Sequence, residues 1–378
     1  MTIYFVAGEV SADNHGAALM RCLRELDGEL KFVGRGGPQM QEIAGEQFKN
    51  WIGEAAVLGL WEVLRNYGYF REQFHETLRE IRESKPDAVV LIDYPGFNLR
   101  LARALRRQAP RQKIIYYISP QVWAWNRGRI KRMAHFVDLV LCIFPFEVDP
   151  YEQAGLRALF VGHPMVERLQ SRKIDTERDP NLIGLFPGSR SREVRKIFPV
   201  MLETARELRK HNGNLRFEVA AVSEQLAREM KPAIAGLDQS QDREAIQIKV
   251  DETAAIMQRA WAGIITSGSA TLEAAYFRLP FVLIYKVAWP TYLAARFVVS
   301  VKYLGMPNLL ADKEVVPEFI QHRAKPDAFV KAMQPLIENA NARERMISQF
   351  DVIIAKLGGS GASERAARAI IEEIGSPT

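Results

Sequence analysis

Short apolar runs alternate along this chain with segments whose apolar residues recur at helical spacing. In the first half the runs predict strands at Ile3–Ala7, Ala88–Ile92, Ile114–Ile118, Leu139–Phe144 and Ala158–Val161. The intervening segments predict helices over Asp13–Leu26, Glu62–Ser84, Asn98–Arg107, Arg127–His135 and Glu147–Ala154. Strands interleaved with helices make a parallel sheet covered on both faces. After His163-Pro164 a charged stretch, SRKIDTERDP, reads as a linker, and the pattern starts again. Strands are expected at Leu182–Phe186, Leu215–Ala221, Ile246–Val250, Ala262–Thr266 and Phe281–Tyr285, with helices between. The fold class is therefore α/β: two doubly wound, Rossmann-like domains in tandem, 1–165 and 166–345. Pro326 to Ile374 is helical by pattern and broken near Gly358-Gly359. The helices about 345–378 pack either on the first domain or on a second copy in a homodimer. Ligands of such sheets bind beyond the carboxyl ends of the strands, so a cleft between the domains is the expected site.

Two strand ends are rich in turn chemistry. Leu182 to Phe186 stops at Pro187-Gly188-Ser189-Arg190, and a charged helical segment follows at Arg192-Glu193-Val194. A strand that feeds a helix through a glycine turn gathers unpaired N–H groups and a positive dipole end. Gly188 allows close backbone approach, Ser189 can cap the helix, and Arg190 offers a fork matching phosphate oxygens. An ordinary βα loop with a surface arginine would look the same. The second turn, Ser267-Gly268-Ser269-Ala270-Thr271-Leu272-Glu273, follows Ala262 to Thr266 and favours a diphosphate held between the two.

Composition narrows the class without choosing a chemistry. The chain has 378 residues, 48% hydrophobic and 25% charged, as in a folded two-domain protein. Cys22 and Cys142 show no metal spacing, and the six histidines form no HExxH pair, so neither a metal nor a disulfide framework is expected. No signal peptide and no membrane-spanning run are read; the best apolar candidate, Phe281 to Val299, is broken by Lys286, Pro290 and Arg296. A reducing cytoplasm fits. The net charge of +6 is concentrated: Arg100, Arg103, Arg106, Arg107, Arg111, Lys113, Arg127, Arg129, Lys131 and Arg132 occur with no acid among them. A one-signed stretch points to phosphate or an anionic membrane surface, and no nucleic-acid-binding module accompanies it.

Three further stretches carry possible chemistry. GEVSADNHG, Gly8 to Gly16, is a glycine turn into a helix but lacks the GxGxxG fingerprint. Its Glu9, Asp13 and His15 are either site residues or ordinary acids at a helix start capped by Ser11. In IDYPGFN, Asp93 directly follows a buried strand, where a carboxylate of raised proton affinity suits a general base. It could equally serve the Tyr94-Pro95-Gly96 turn. Trp123 and Trp125, beside basic residues, suit either stacking or core packing. Ala55 to Phe74 is too crowded with apolar and aromatic residues for a plain amphipathic helix. Val57, Leu58, Leu60, Trp61, Leu64 and Tyr67 form a candidate lipid-gripping patch there.

In this order the segments GEVSADNHG, VGRGGPQM, VLGLWEVL, IDYPGFN, YISPQVWAW, FPFE, FVGHP, FPGSRSREV, SGSATLEA, MPNLL and VPEFIQ resemble the lipid-A-disaccharide synthases. Those are inverting glycosyltransferases of the two-domain GT-B type, and the likeness runs from Gly8 to Gln321. The resemblance implies transfer of 2,3-diacylglucosamine from its UDP derivative to the 6-hydroxyl of 2,3-diacylglucosamine 1-phosphate (lipid X). The products are the β-1,6 disaccharide 1-phosphate and UDP. It implies Asp93 as base with His15 in the same site, and substrate contacts from Gly8, Glu9, Ser11 and Asp13. On the donor side it implies Gly188, Ser189, Arg190, Ser267, Gly268, Ser269 and Thr271, with Glu273 at the ribose and Asn308 and Gln321 nearby. It implies no cofactor, no metal, and peripheral attachment to the cytoplasmic face of the inner membrane. The chain departs from the family pattern in Val10 and Ala12, in Ser269 for a usual threonine, and in Gly96 for a usual acid. The last removes a possible carboxylate partner for Asp93. Another UDP-N-acetylglucosamine-type transferase, or a UDP-sugar epimerase of the same fold, is the alternative.

Overall fold

The computed structural model describes residues 1–52, 67–120, 128–286 and 302–376. It divides into two compact units: Met1–Pro164 with Leu357–Thr378, and Met165–Lys356. The first holds a seven-stranded sheet: β1 (Thr2–Ala7), β2 (Lys31–Gly36), β3 (Phe48–Asn50), β4 (Ala88–Ile92), β5 (Lys113–Tyr117), β6 (Leu139–Cys142) and β7 (Arg157–Phe160). The second holds six strands: β8 (Asp179–Phe186), β9 (Arg216–Ala221), β10 (Ile246–Val250), β11 (Ala260–Thr266), β12 (Phe281–Tyr285) and β13 (Glu318–Ile320). Every ladder is parallel. The orders are β3-β2-β1-β4-β5-β6-β7 and β10-β9-β8-β11-β12-β13. Each sheet thus reverses direction once, between β1 and β4 in the first and between β8 and β11 in the second. At such a reversal the loops leaving adjacent strands splay apart and open a crevice.

The apolar runs become these strands because both sheet faces are covered. All of Ala88–Ile92 is buried, as are Ile3 to Ala7. Three strands escape the sequence pattern. β3 and β13 have three residues each, and β2 (KFVGRG) is interrupted by two glycines and a charge. That charge, Arg35, is 1% exposed. It donates to Glu80 (2.8 and 2.7 Å), Glu76 (2.8 Å) and Gln73, while the Tyr4 hydroxyl donates to Glu80 at 2.6 Å. The network ties the helix Tyr67–Ser84 to β1 and β2, and Lys49 of β3 adds a bond to Glu80. A buried guanidinium is tolerable because it is surrounded by acceptors.

Helix starts differ from the sequence reading in a consistent way. The helix predicted from Asp13 begins at Val10, with Glu9 as N-cap, so Ser11 lies inside the first turn and caps nothing. The helix Ser191–His211 takes Arg190 as N-cap without a side-chain bond, so Ser189 is not its cap either. The helix predicted from Asn98 begins at Pro95, where proline's fixed φ suits the first turn. The C-terminal helix Ala362–Gly375 packs on Val10–Leu26 and on β5 of the first unit. Its buried Glu373 accepts from Lys113 (3.0 Å) and Arg157 (2.6 Å). The acyl-patch residues Val57, Leu58, Leu60, Trp61 and Leu64, and also Trp123 and Trp125, lie outside the described residues. Tyr67 opens a described helix, but its side chain is outside the description.

Candidate active site

Register brings Glu9 and Asp93 together. Ala7 of β1 pairs with Ile92 of β4, so the chain leaves both strands at one level on the two sides of the reversal. Asp93 and Tyr94 then adopt left-handed φ values of 46° and 48°. For residues other than glycine such a conformation costs on the order of 1–3 kcal/mol each and persists only where the surroundings enforce it. Tyr94 is gripped by packing: its ring stacks on Phe97 (6.1 Å between centroids) and meets Trp51 edge-on (6.3 Å). The same ring runs over the backbone of Gly8, where an added Cβ would come within 2.4 Å of it. Gly8 therefore admits the Tyr94 ring, which is a reason for a glycine there quite apart from substrate contact.

The Asp93 carboxyl is pushed up to about 6. Burial is the main cause and the charge of Glu9 adds to it, while a backbone N–H from Tyr94 pulls the other way. Glu9 thus supplies the negative neighbour that the glycine at 96 withholds. Ser11 is exposed and His15 half-buried, one helical turn apart on the helix that starts beside this carboxylate. Asp13 points elsewhere: it is 2% exposed, and its two oxygens accept from the N–H groups of Gly37 (2.9 Å), Met40 (3.0 Å) and Gln39 (3.1 Å). It caps the helix Pro38–Ala44, a structural task that occupies both carboxylate oxygens.

The second unit builds a pocket at its own reversal. Phe186 of β8 pairs with Ile265 of β11, so the turns at Gly188 and Gly268 leave the sheet side by side. Both glycines have φ in the left-handed region, 110° and 150°, which a side chain would strain. The cavity between the turns measures about 400 Å3. It brings together Gly188, Ser189, Arg190, Ser267, Gly268, Ser269 and Glu273. The N-terminus of the long helix Ser191–His211 opens on this side with no side chain satisfying it, and the Arg190 side chain is 81% exposed. Such an arrangement suits a phosphate: uncapped N–H groups, a dipole and an exposed guanidinium.

Other expected donor residues are absent from the lining. Thr271 is fully buried and its hydroxyl donates to Gly268 O at 2.8 Å, bracing the turn from behind. Asn308 is also fully buried; its Oδ1 accepts from Val315 (2.7 Å) and Val316 (2.8 Å), and its Nδ2 donates to Val316 O and Glu318. With the amide so occupied, Asn308 organises the loop Val315–Glu318. Gln321, 5% exposed with a φ of 52°, follows β13 and does not line the pocket. Conversely, the pocket contains residues that the sequence pattern does not reveal. Arg168 binds Glu273 at 2.8 Å from more than a hundred positions away, and Glu193 pairs with Arg190 at 3.1 Å. Among the described residues no group of three metal-ligating side chains occurs.

The family model described as lipid-A-disaccharide synthetase matches residues 3–371. The lipid-A-disaccharide synthase of Geobacter sulfurreducens is 38% identical over 99% of this chain and 97% of its own. Lipid-A-disaccharide synthase 1 of Legionella pneumophila (strain Paris) is 34% identical over 94% and 97%. Among solved structures, UDP-GlcNAc 2-epimerase from Neisseria meningitidis, bound to UDP-GlcNAc, superposes with a TM-score of 0.61 at 11% identity, covering 98% of this chain and 99% of that one. MurG from Acinetobacter baumannii gives 0.56 at 13% identity, with the same coverage of 98% and 99%. The distant structures share the two-sheet fold, and the sequence matches run end to end: the chain belongs to the lipid-A-disaccharide synthase family.

Proposed function

We propose that this hexosyltransferase makes the lipid A disaccharide by direct displacement, with Asp93 as the base and the pocket at Gly188 and Gly268 as the UDP site. The acceptor is 2,3-diacylglucosamine 1-phosphate and the donor UDP-2,3-diacylglucosamine. Asp93 takes the proton of the acceptor 6-hydroxyl as that oxygen attacks the donor anomeric carbon. The bond from that carbon to the diphosphate breaks, UDP keeps the electron pair, and the configuration inverts. The observation that carries this reading is the carboxyl at the β1/β4 reversal, held at about 6 and thus ionised yet basic at neutral pH.

On the donor side, charge grows on the diphosphate as the bond breaks. Arg190 and the N–H groups that begin Ser191–His211 are placed to stabilise it without rearranging. Glu273, held by Arg168, suits the ribose hydroxyls because an ionised carboxylate is a pure acceptor. No described helix is long and apolar enough to cross a membrane. Arg100, Arg103, Arg107, Arg111, Lys131 and Arg132 are exposed, and this cationic surface suits peripheral binding to an anionic leaflet where lipid substrates lie.

The test is a mass-spectrometric product assay in detergent micelles containing EDTA, with Asp93→Asn and Arg190→Ala beside the unaltered enzyme. Disaccharide 1-phosphate from the unaltered enzyme, strongly reduced in both variants, is the expected result. Full activity in Asp93→Asn would move the base elsewhere. UDP binding without disaccharide would contradict the acceptor assignment.

A further inference from the structure

The backbone at Asp93 is held by more than its own turn. Its N–H donates to Tyr117 O at 3.0 Å, fixing it to β5. Its carbonyl oxygen is gripped by two side chains. The Tyr116 hydroxyl, also from β5, donates to it at 2.5 Å. The Asn98 Nδ2 donates to it at 2.8 Å and also to Ile92 O at 3.2 Å. Both side chains are fully buried. Asn98 Oδ1 has no partner among the described residues, so the amide's described bonds are those two to the β4 terminus. Turning the amide over would set its oxygen against two carbonyl oxygens, which fixes the orientation. An amide and a phenol thus converge inside an apolar core on one carbonyl, that of a residue in left-handed backbone, and the amide also holds the carbonyl of Ile92 just before it.

We propose that Asn98 and Tyr116 are positioning residues of the transfer reaction, clamping the Asp93 carbonyl so that its carboxylate is aimed at the acceptor hydroxyl. The proposal rests on the reading of Asp93 as the base. The clamp acts through the backbone: with the carbonyl pinned from two sides the peptide plane cannot rotate toward ordinary strand or helix geometry, either of which would redirect Cβ. Misplacing a reacting group by about 1 Å costs on the order of 100-fold in rate. Neither side chain was needed to recognise the turn, and neither touches substrate in this account.

The experiment compares Tyr116→Phe, which deletes one hydroxyl, with Asn98→Ala, using Asp93→Asn as control. For each, kcat and KM for both substrates are measured from about pH 4.5 to 9, with UDP affinity and circular dichroism reporting the folded fraction. The expected result is a fall in kcat of about tenfold for Tyr116→Phe and up to about 100-fold for Asn98→Ala, with donor KM and UDP affinity unchanged. The acid limb of kcat should also move down toward the ordinary carboxylate range near 4, because a loosened carboxylate gains water. Rates lost only in proportion to unfolded protein, with the acid limb where it was, would make both residues merely structural and overturn the proposal. A dead Asp93→Asn beside fully active Tyr116→Phe and Asn98→Ala would overturn the clamp alone. An active Asp93→Asn would overturn the base assignment and the clamp with it.

Discussion

Asp93 combines two costs, a left-handed backbone and a half-buried, largely desolvated carboxylate crowded by Glu9. A folded-state value near 6 lies above the ordinary aspartate value, so the folded protein prefers the proton. Its favourable contribution to stability is present below about 4 and is lost as pH rises through 6. Asp93→Asn should therefore unfold at higher denaturant at pH 8 than the unaltered protein while losing activity, and should show no such advantage at pH 4. Equal or lower stability at pH 8 would mean the carboxylate is not strained by its surroundings. Gly96 offers the complementary test. A Cβ there meets nothing within 4 Å, so Gly96→Asp fits and restores a carboxylate one helical position after Pro95. The acid limb of the reaction should then rise above its starting point near 6; an unmoved limb would show that the two positions do not interact. Asp93 itself was legible because a carboxylate at the end of an all-apolar strand is conspicuous. Glu9's influence on it was not, since it depends on the β1/β4 register, which pairs positions 85 apart in the chain, such as Ala7 with Ile92.

The βα turn is the element that the sequence shows best. Glycine and hydroxyl residues after an apolar run mark a tight strand-to-helix turn, and both turns, at Gly188 and Gly268, lie at their expected strand ends. Arg190→Ala should weaken UDP binding about tenfold, the worth of one exposed charge-assisted bond, as read by calorimetry; unchanged affinity would remove Arg190 from the site. What escaped the sequence was the partner of each side chain. Thr271 and Asn308 have the residue types of ligand contacts but are occupied by Gly268 O and by the Val315–Glu318 loop. Likewise β2 escapes the pattern because its glycines and Arg35, near its end, interrupt the apolar run, and the acceptors of the helix Tyr67–Ser84 make the burial of that arginine possible. Burial alone would raise Glu80, but the bonds from Arg35, Lys49 and Tyr4 outweigh it and hold the carboxyl at about 2. That stability is present above about 4.5 and is lost as pH falls toward 2. Arg35→Met should cost about 3 kcal/mol at pH 7 in chemical denaturation, at the low end for a broken buried pair because Glu76 and Glu80 keep some solvent. A neutral outcome would show that water replaces the arginine fully.

The whole chain repeats one plan twice, and the proposed function divides the reaction between the copies: proton transfer at the β1/β4 reversal, nucleotide binding at the β8/β11 reversal. The repetition was visible as alternating apolar runs, and the reversals follow from strand order, which no local pattern encodes. The charge belongs to this scale as well. The helices Pro95–Gln108 and Gly128–Met133 carry the exposed Arg100, Arg103, Arg107, Lys131 and Arg132, while Arg106 pairs with Asp138 at 2.6 Å. The protein should float with anionic liposomes at low salt and release above about 0.5 M, where the screening length falls below about 5 Å; binding indifferent to lipid charge and salt would contradict an electrostatic contact. The most direct test of the central claim is the pH dependence of disaccharide formation by the unaltered enzyme and by Asp93→Asn, followed from about pH 4.5 to 9 at saturating donor. The account predicts a rate that climbs through pH 6 to a plateau in the unaltered enzyme, and a rate at least 100-fold lower with no such limb in the variant. A variant that keeps both the rate and the limb would contradict it.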